Sequence, residues 1–415
     1  MRLFHTADWH LGHALNGFDR SHEHQRFFAG LLDRLESDEA DALLVAGDVF
    51  DKANPSHQAE GLLFQFLAQA KERLPALQMV LTAGNHDSPG RLESWRPLME
   101  PLGVHLVGMI PRNAAGEAEP GRLALPLKNR RGEVGAWCLA LPFLRPSDLP
   151  PGETFADPAA GVREIYAQAL AAVPTTGREV APVIALGHGH ISGGELSEWS
   201  ERRIVLGGLE ALPAAIFDPR LAYVALGHLH KPQRIGGEGR MVYAGSPIPL
   251  SFAERDYDHR VVRLDLDASG VRALESIPIP HAVPLLRLPK DQPQSLPQVL
   301  ALLRALRLPE VVEEQHRPYL EVRVLLDQPQ PGLRAEIEAA LADKPVRLVQ
   351  IHAQRARIGG GETDLPDSLE ALSRLQPLDL FLRRYHRDYP EGDPSPELRA
   401  AFDELLQQPE EADAP

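Results

Sequence analysis

The stretch DALLVAGDVFD, residues 41–51, decides the fold, because its apolar run stops at a glycine and an acidic residue. Residues 42–46 are apolar throughout, which predicts a buried β-strand with Asp48 at its end. Three further apolar runs end in a similar way, in HTADWH (5–10), LTAGNHD (81–87) and VALGHLH (224–230). Polar residues that recur at the ends of buried strands predict a functional site on an α/β scaffold.

The composition sets the class of protein. A length of 415 residues predicts two or three domains, and the 43% hydrophobic content suffices for sizeable cores. The net charge of −15 argues against a surface that attracts nucleic acid everywhere, and leaves room for a local groove or for binding through cations. A single cysteine, Cys138, excludes an internal disulfide framework. Since no run of about 18 apolar residues is present, we expect a soluble, cytoplasmic protein.

Strands and helices alternate over the first part of the chain. RLFHTA, ALLVAG and QMVLTAG are typical of strands, and helical patterns cover residues 22–36 and 56–73. This alternation predicts an α/β core. From about residue 104 the pattern becomes strand-rich, with a helix near 160–172, which predicts two sheets packed face to face with helices outside.

A proline-rich stretch, PIPHAVPLLRLPKDQP (278–293), predicts a domain boundary. The pattern after it follows a β-α-β-α-β order, then a flexible, glycine-containing segment and amphipathic helical segments. The predicted organisation is a core domain over 1–279, a small α+β capping and DNA-binding domain over 280–355, a linker over 356–365, C-terminal helices over 366–407 and a disordered tail over 408–415.

Two strand ends carry a spacing that suits metal ligands. Side chains two apart on a strand point the same way, so Asp8 and His10 can face one point, and so can His228 and His230. A set of carboxylate and imidazole groups suits Mn, Fe or Zn. These two motifs therefore predict ligands from two separate strands.

Further strand ends bring the number of ligands above what one ion needs. GNHD contributes the amide oxygen of Asn85, and LGHGH (186–190) contributes either His188 or His190. This surplus predicts two metal ions. Two ions about 3.5–4 Å apart need a bridging carboxylate, and Asp48 is the residue placed to provide it.

The motifs DWH, GDVFD, GNHD, GH and GHLH, in this order, resemble the five signatures of the calcineurin-like metallophosphoesterases. LPFLRP (141–146), GSPIPLSF (245–252) and LFLRRY (380–385) are similar, more narrowly, to the SbcD family of nuclease subunits. The similarity covers nearly the whole chain. It implies a four-layer metallophosphoesterase β-sandwich flanked by helices, with a small α+β capping domain and C-terminal helices.

The resemblance also implies the division of the ligands and a role for His86. It assigns one metal to Asp8, His10, Asp48 and His230 and the other to Asp48, Asn85, His188 and His228. Both metals are expected to be Mn²⁺, with Mg²⁺ or another divalent ion as a substitute. The cations would activate a bridging water for in-line attack, and His86 would assist departure of the sugar oxygen. His188 is preferred to His190 because it directly follows the strand and the downstream glycine spacing fits the family better.

The activity implied by the resemblance is that of a DNA nuclease in repair, recombination and replication. It combines 3′-to-5′ exonuclease action on duplexes with endonuclease action on single strands or hairpins. This chain has no GxxxxGK[ST] motif and so binds no nucleotide through a P-loop. The family implies an SbcC-type coiled-coil ATPase as partner, and a homodimer within a heterotetramer. The docking candidates share one helical face, Leu378, Phe381, Leu382 and Tyr385, with self-packing of that face as the alternative.

Several residues near the motifs are weighed separately. Asp51 and Asp87 are candidates to orient a ligand, and Arg145 is a candidate phosphate contact. We expect His13, His22 and His24 at the surface, and His5 packed within its strand.

Other functions on the same fold compete with the nuclease hypothesis. Protein phosphatases of the superfamily typically show GDxxDRG, whereas this chain has GDVFDKA. A hydrolase of small phosphodiesters or phosphomonoesters would not need the roughly 135 residues beyond the core. A metal-stabilised DNA-end-binding scaffold without catalysis is disfavoured, because every expected ligand and His86 are present.

Overall fold

The structure, a computed structural model, consists of two compact units, Met1–Arg355 and Ala356–Pro415. It describes residues 1–150, 157–177, 180–195, 210–236, 239–309, 313–327 and 330–355, together with Phe381, Leu382, Tyr385, Pro394, Leu398, Arg399 and Phe402. The predicted linker 356–365, the docking candidate Leu378 and the predicted tail 408–415 lie outside the described residues, as does most of the predicted helical segment 366–407.

Strands and helices alternate first and strands dominate later, as the sequence pattern predicts. The strands, in chain order, are β1 (Arg2–Thr6), β2 (Ala14–Leu15), β3 (Phe18–Asp19), β4 (Ala42–Ala46), β5 (Gln78–Thr82), β6 (Val104–Val107), β7 (Ala124–Lys128), β8 (Val134–Ala140), β9 (Val183–His188), β10 (Leu221–Gly227), β11 (Gln233–Ile235), β12 (Met241–Tyr243), β13 (Arg260–Asp267), β14 (Gly270–Pro278), β15 (Leu285–Leu288), β16 (Gln294–Ser295), β17 (Tyr319–Leu326) and β18 (Arg347–Arg355). The α-helices are α1 (Ser21–Ser37), α2 (His57–Arg73), α3 (Pro89–Met99), α4 (Pro158–Ala171), α5 (Leu296–Ala305) and α6 (Leu333–Ala340).

Two six-stranded sheets form the core. The first has the order β14-β13-β1-β4-β5-β6, in which β1, β4, β5 and β6 are parallel. The second has the order β11-β12-β10-β9-β8-β7, in which β8, β9, β10 and β12 are parallel. Parallel strands end at the same edge of their sheet, so each sheet presents several carboxyl ends side by side.

Strand β4 shows why the sheets are layered. Leu44 points into the apolar cluster between the sheets, together with Leu186 and Tyr223 of the second sheet. Leu43, its neighbour, points the other way into the cluster beneath the helices, together with Phe66 of α2. Because alternate side chains serve opposite faces, a strand buried on both sides must be apolar throughout. Burial of each such leucine contributes about 1.5–3 kcal/mol.

Helices cover the outer faces, which completes four layers. Helix α4 buries Val162, Ile165, Tyr166 and Ala169, the i, i+3, i+4, i+7 stripe of an amphipathic helix. On the other side, α1 and α2 cover the first sheet through Phe28 and other aromatic and aliphatic side chains. The predicted fold class, a helix-flanked α/β sandwich of two sheets, is therefore confirmed.

A smaller parallel sheet is formed after residue 284. Strand β17 lies at its centre, with β15 and β16 pairing along one edge and β18 along the other. Helices α5 and α6 cover one face through a separate apolar cluster that includes Val299, Val322 and Ile337. This part of the chain follows the β-α-β-α-β order that the sequence predicts, with the short strand β16 added.

Candidate metal centre

The polar residues of the five motifs meet at one place. Strands β1, β4 and β5 of the first sheet and β9 and β10 of the second direct their carboxyl ends toward this place. The residues that follow or end these strands are Asp8, His10, Asp48, Asn85, His86, His188, His228 and His230. The packing of two sheets therefore brings together side chains that lie up to 222 positions apart in the sequence.

Asp48 is shared between two groups of potential metal ligands. With Asp8 and His188 it forms a buried group whose ligand atoms lie within 4.8 Å of one another. Its Oδ2 atom is 3.4 Å from His188 Nε2 and 3.6 Å from His10 Nε2. The second group that contains Asp48 includes His10 and His86, and a third group joins Asp8, His10 and His230. Asp48 thus belongs to both groups that contain it, as a bridging carboxylate would.

Asn85 completes the side formed by the second sheet. Its Oδ1 atom is 2.9 Å from His188 Nε2 and 3.2 Å from His228 Nδ1. An amide oxygen and two imidazole nitrogens directed at one point can hold a divalent cation. These three residues and Asp48 therefore have the chemistry of a mixed oxygen and nitrogen site.

Buried polar atoms without a partner fit a bound cation. Among the described residues, Asp8 Oδ2 and both ring nitrogens of His10 are buried and lack a hydrogen-bond partner. Leaving such atoms unsatisfied costs about 1–3 kcal/mol each. Coordination of a cation satisfies a carboxylate oxygen and an imidazole nitrogen at once, so the residues present fit divalent metals.

Four of the residues have backbone conformations that are rare for side chains other than glycine. Asp8, His10 and Asp48 have φ angles of 53°, 47° and 48°, and His228 has a φ of 97°. A residue held in this region costs on the order of 1–3 kcal/mol, and such residues cluster at functional sites. The strand ends thus turn sharply to aim their side chains at one point.

Glycines next to the ligands allow the two sheets to approach closely. A Cβ atom on Gly47 would lie 2.2 Å from His188 Nδ1, and one on Gly84 would lie 2.1 Å from Asp48 Oδ1. Both distances are far below van der Waals contact. The glycines of GDVFD and GNHD are therefore required by the packing around the ligands, in addition to the positive φ of Gly47.

The buried carboxylates and imidazoles of the site shift one another's pKa values before a cation binds. Burial raises the pKa of Asp8 to about 7. Burial lowers the pKa of His188, but the Asp48 carboxylate outweighs this effect and raises that pKa to about 9. Burial likewise raises the pKa of Asp48, yet His188 and His10 hold it well below its ordinary value. A divalent cation takes the place of these protons, so its binding is coupled to proton release.

Hydrogen bonds from the far ring nitrogen orient three of the histidines. His188 Nδ1 donates to the Ala46 carbonyl at 2.8 Å, and His86 Nδ1 donates to the Asp51 carbonyl at 2.8 Å. His230 Nδ1 lies 2.8 Å from Glu254 Oε1. A donor bond on Nδ1 leaves the lone pair on Nε2, and this fixes the atom that faces the site.

Glu254 contacts the candidate ligand His230, and the sequence patterns did not single it out. Its side chain is fully buried, and besides His230 it accepts hydrogen bonds from the Leu250 N–H at 2.8 Å and the Ser246 hydroxyl at 3.2 Å. It follows GSPIPLSF by two positions, and that motif places Ser246 and Leu250 around its carboxylate. The sequence signal for Glu254 is its place as an acidic residue just after this family-specific motif.

The candidates named for orienting roles all lie close to the site. Asp87 accepts backbone N–H groups from Val49, Phe50 and Gly84, and so ties the GNHD loop to the GDVFD loop. Burial raises the pKa of Asp87 to about 6, with the Asp48 charge adding to this effect.

Asp51 and Arg145 differ in how they reach the site. Asp51 Oδ1 lies 3.4 Å from His10 Nδ1. Although burial raises the pKa of Asp51, the nearby His10 and the hydrogen-bonded His13 keep that pKa well below its ordinary value. Arg145 stacks on the Phe143 ring at 5.3 Å, and that ring lies edge-on to His188. Its guanidinium is therefore held near the site, although no ligand group among the described residues includes it.

The structure separates the remaining histidines. His188 joins the ligand groups, whereas His190 is half-buried and its Nε2 contacts the Gly194 carbonyl at 3.3 Å. His5 is packed as expected. The expectation that His24 lies at the surface is wrong, because it is fully buried and bonds the Trp9 carbonyl. His13 is half-buried, and it bonds Asp51 and Leu250 beside the ligands.

The second unit shows contacts among its described aromatic residues. The Phe381 ring stacks on Phe402 with centroids 4.3 Å apart, and lies 6.3 Å from the Tyr385 ring. Two of the four docking candidates therefore pack within the unit itself, while Leu382 is half-buried.

Comparisons with known proteins agree with the motifs. The family model described as calcineurin-like phosphoesterase matches residues 1–232, and the model described as type 5 capsule protein repressor C-terminal domain matches residues 281–389. The chain is similar to the SbcD subunit of the SbcCD nuclease of Rhodobacter capsulatus, at 42% identity over 92% of this chain and 93% of the relative. The SbcD subunits from Escherichia coli K12 and Bacillus subtilis are 31% and 33% identical, over 92% and 69% of this chain and 92% and 72% of the relatives.

The helices of the described residues include none with both the length and the apolar character needed to cross a membrane.

The fold, the strand-end ligands and the relatives agree on the chemistry, which is metal-dependent hydrolysis of phosphodiesters. The chain belongs to the calcineurin-like phosphoesterases and, within them, to the SbcD family of SbcCD nuclease subunits.

Proposed function

We propose that this chain is a Mn²⁺-dependent DNA nuclease that cuts duplex ends as a 3′-to-5′ exonuclease and single strands or hairpins as an endonuclease. The observation that carries the proposal is that Asp48 belongs to two groups of potential ligands, one with Asp8 and His188 and the other with His10 and His86. The relatives named as SbcCD nuclease subunits support DNA as the substrate. Repair, recombination and replication are the processes in which such an activity would serve.

The ligands would divide into two sets that share one carboxylate. Asp48 would bind both cations, with Asp8, His10 and His230 completing one set and Asn85, His188 and His228 completing the other. Two bound cations would lower the pKa of a water molecule and neutralise charge on the phosphate. His188 Nδ1 donates to the Ala46 carbonyl, and His230 Nδ1 donates to the Glu254 carboxylate. These bonds keep both rings in the tautomer that such binding requires.

His86 would act on the leaving group. Its ring lies edge-on to His10 with centroids 4.8 Å apart, and the Asp51 carbonyl accepts its Nδ1–H. Nε2 is therefore the atom that would meet the substrate, and in the doubly protonated ring it would donate a hydrogen bond or a proton to the departing sugar oxygen. His86 is half-buried, which gives a substrate access from solvent.

The small domain, residues 280–355, is proposed to contact DNA. An open groove on its sheet, about 440 Å³ in volume, is lined by Arg323, His352 and Gln354 among others, and by Arg287, which pairs with Glu321 in the same groove. Cationic and amide side chains can contact phosphates and base edges. Because the chain has a net charge of −15, affinity for DNA would have to come from such a local surface and from bound cations.

The proposed partners follow from the relatives and from the surface. The name SbcCD supports a complex with an SbcC-type ATPase, which we place on the C-terminal segment 366–407. Leu98 of α3 is 71% exposed and Leu102 is 51% exposed, which supports a homodimer through this face of the core within a heterotetramer. The protein would act in the cytoplasm, associated with the nucleoid.

Digestion of end-labelled linear duplex DNA with Mn²⁺, with and without the ATPase partner and ATP, tests the proposal. Wild type is expected to shorten the duplex, and His86→Gln is expected to bind DNA without cutting it. His57→Gln, which alters an exposed histidine at the start of α2, serves as the matched control and should cut normally. Hydrolysis of a small phosphodiester by wild type without any cleavage of DNA would overturn the substrate assignment and leave the metal site in place.

A further inference from the structure

His13 makes contacts that connect the two loops beside the metal centre. It follows the proposed ligand His10 by three positions, and its backbone N–H bonds the His10 carbonyl at 2.9 Å. Its ring Nδ1 lies 3.1 Å from Asp51 Oδ1, and its ring Nε2 lies 2.9 Å from the Leu250 carbonyl oxygen. Its side chain is 21% exposed. Both ring nitrogens are therefore engaged by residues from distant parts of the chain.

On one side, His13 bonds a residue that already orients two histidines. The Asp51 carboxylate lies 3.4 Å from His10 Nδ1, and the Asp51 carbonyl accepts the Nδ1–H of His86. The backbone N–H of Asp51 is bonded to the Leu11 carbonyl at 3.1 Å. The position of Asp51 therefore determines how both His10 and His86 are directed.

On the other side, His13 bonds the loop that orients His230. The Leu250 N–H donates to Glu254 Oε2 at 2.8 Å, while Glu254 Oε1 contacts His230 Nδ1. The carbonyl of the same Leu250 faces His13. The His13 imidazole thus connects Asp51 directly, and Glu254 through Leu250. These two carboxylates contact the rings of His10 and His230.

We propose that His13 is a positioning residue that holds His10, His86 and His230 in one hydrogen-bonded network. The inference rests on the proposed function, because it assigns His86 its action on the leaving group. His13 belongs to none of the ligand groups found among the described residues, so it acts through Asp51 and Leu250. Removal of its donor groups would leave the Asp51 side chain free to shift. The imidazole rings of His86 and His10 would then be less well oriented.

A pair of variants separates hydrogen bonding from packing. His13→Leu keeps most of the side-chain volume and removes the donors, while His13→Gln keeps an amide that can donate to the same acceptors. Loss of an orienting bond at a metal site typically costs 10–100-fold in affinity or activity. We expect His13→Leu to lower kcat for nucleotide release about 10–100-fold with KM for DNA unchanged within about twofold, and His13→Gln to retain kcat within about threefold.

A readout that does not depend on catalysis accompanies the kinetics. Mn²⁺ binding, measured from the EPR signal of free Mn²⁺, is expected to be about tenfold weaker in His13→Leu and restored in His13→Gln. His57→Leu on α2 is the matched control and should match wild type in both assays.

Equal kcat and equal Mn²⁺ affinity in His13→Leu and His13→Gln would overturn the inference, whether both match wild type or both fall. Failure of wild type to cut DNA would refute the proposed function instead. The Mn²⁺ affinities of the two variants would still decide the role of His13.

Discussion

Replacement of Glu254 by glutamine would reverse the hydrogen bond that orients His230. The Glu254 side chain is fully buried, and its Oε1 accepts from His230 Nδ1 at 2.8 Å while Oε2 accepts from Leu250 and Ser246. A glutamine can keep its oxygen toward Leu250 and Ser246. Its NH₂ group then faces His230 Nδ1 and donates to it, so the imidazole proton moves to Nε2, the atom needed for metal binding.

The size of the effect follows from the loss of one correctly protonated ligand. Partners that orient metal-binding histidines typically contribute 10–100-fold to metal affinity, which is about 1.4–2.7 kcal/mol at 1.36 kcal/mol per decade. Because the bonds to Leu250 and Ser246 persist, the metal-free protein should lose much less free energy of unfolding than Glu254→Ala would, where two buried donors lose their acceptor. The defect of Glu254→Gln should therefore fall on metal binding.

Calorimetric titration of chelator-treated protein with Mn²⁺ measures this directly. Glu254→Gln should bind at least one ion 10–100-fold more weakly than wild type. Glu338→Gln, which alters an exposed glutamate of α6, is the control and should bind as wild type does. An affinity of Glu254→Gln within about twofold of wild type for every ion would refute the reasoning that Glu254 sets the tautomer of His230.

Two further predictions concern stability and assembly. Burial lowers the pKa of His5 from 6.5 to about 3, so this neutral side chain stabilises the fold above pH 6.5, and the stability is lost as pH falls toward 3. In urea unfolding, the free energy of unfolding of wild type should therefore fall by about 2 kcal/mol relative to that of His5→Gln between pH 6.5 and pH 5. Parallel pH profiles of this free energy in the two proteins would contradict the prediction. Leu98→Asp should convert a dimer to a monomer in sedimentation velocity, while Leu302→Asp, at a 37% exposed leucine of α5, should leave the dimer intact. A dimer that persists in Leu98→Asp would place the interface elsewhere.

Much of the fold could be predicted because its strands and helices carry strong periodic signals. Strand β4 is apolar throughout and helix α1 is amphipathic, so both were located within one or two residues. Strand β14 and helix α3 were missed. Strand β14 is largely exposed, so its pairing with β13 is fixed by the hairpin turn rather than by an apolar pattern. Helix α3 contains Pro97 in its interior, which sequence rules count against a helix.

The ligands could be predicted from their motifs, whereas the residues that orient them could not. Asp48 and His188 stand directly at strand ends, where a polar side chain is conspicuous. The role proposed for His13 depends on its bond to Leu250, 237 positions away, and the role proposed for Glu254 depends on its burial beside His230. Such roles depend on how the two sheets and their loops pack, which no local pattern contains. The preference for His188 over His190 came from its place at the end of the strand, and in the structure His188 lies 3.4 Å from Asp48 while His190 contacts Gly194.

EPR spectroscopy of protein saturated with Mn²⁺ tests the central claim, that Asp48 joins two cations, most directly. Two ions bridged by one carboxylate lie about 3.5–4 Å apart and give a spin-coupled spectrum. We predict two Mn²⁺ per chain with this coupled signal in wild type, and loss of the coupling in Asp48→Asn. Saturation at one Mn²⁺ per chain with the spectrum of an isolated ion would contradict the claim that Asp48 joins two cations.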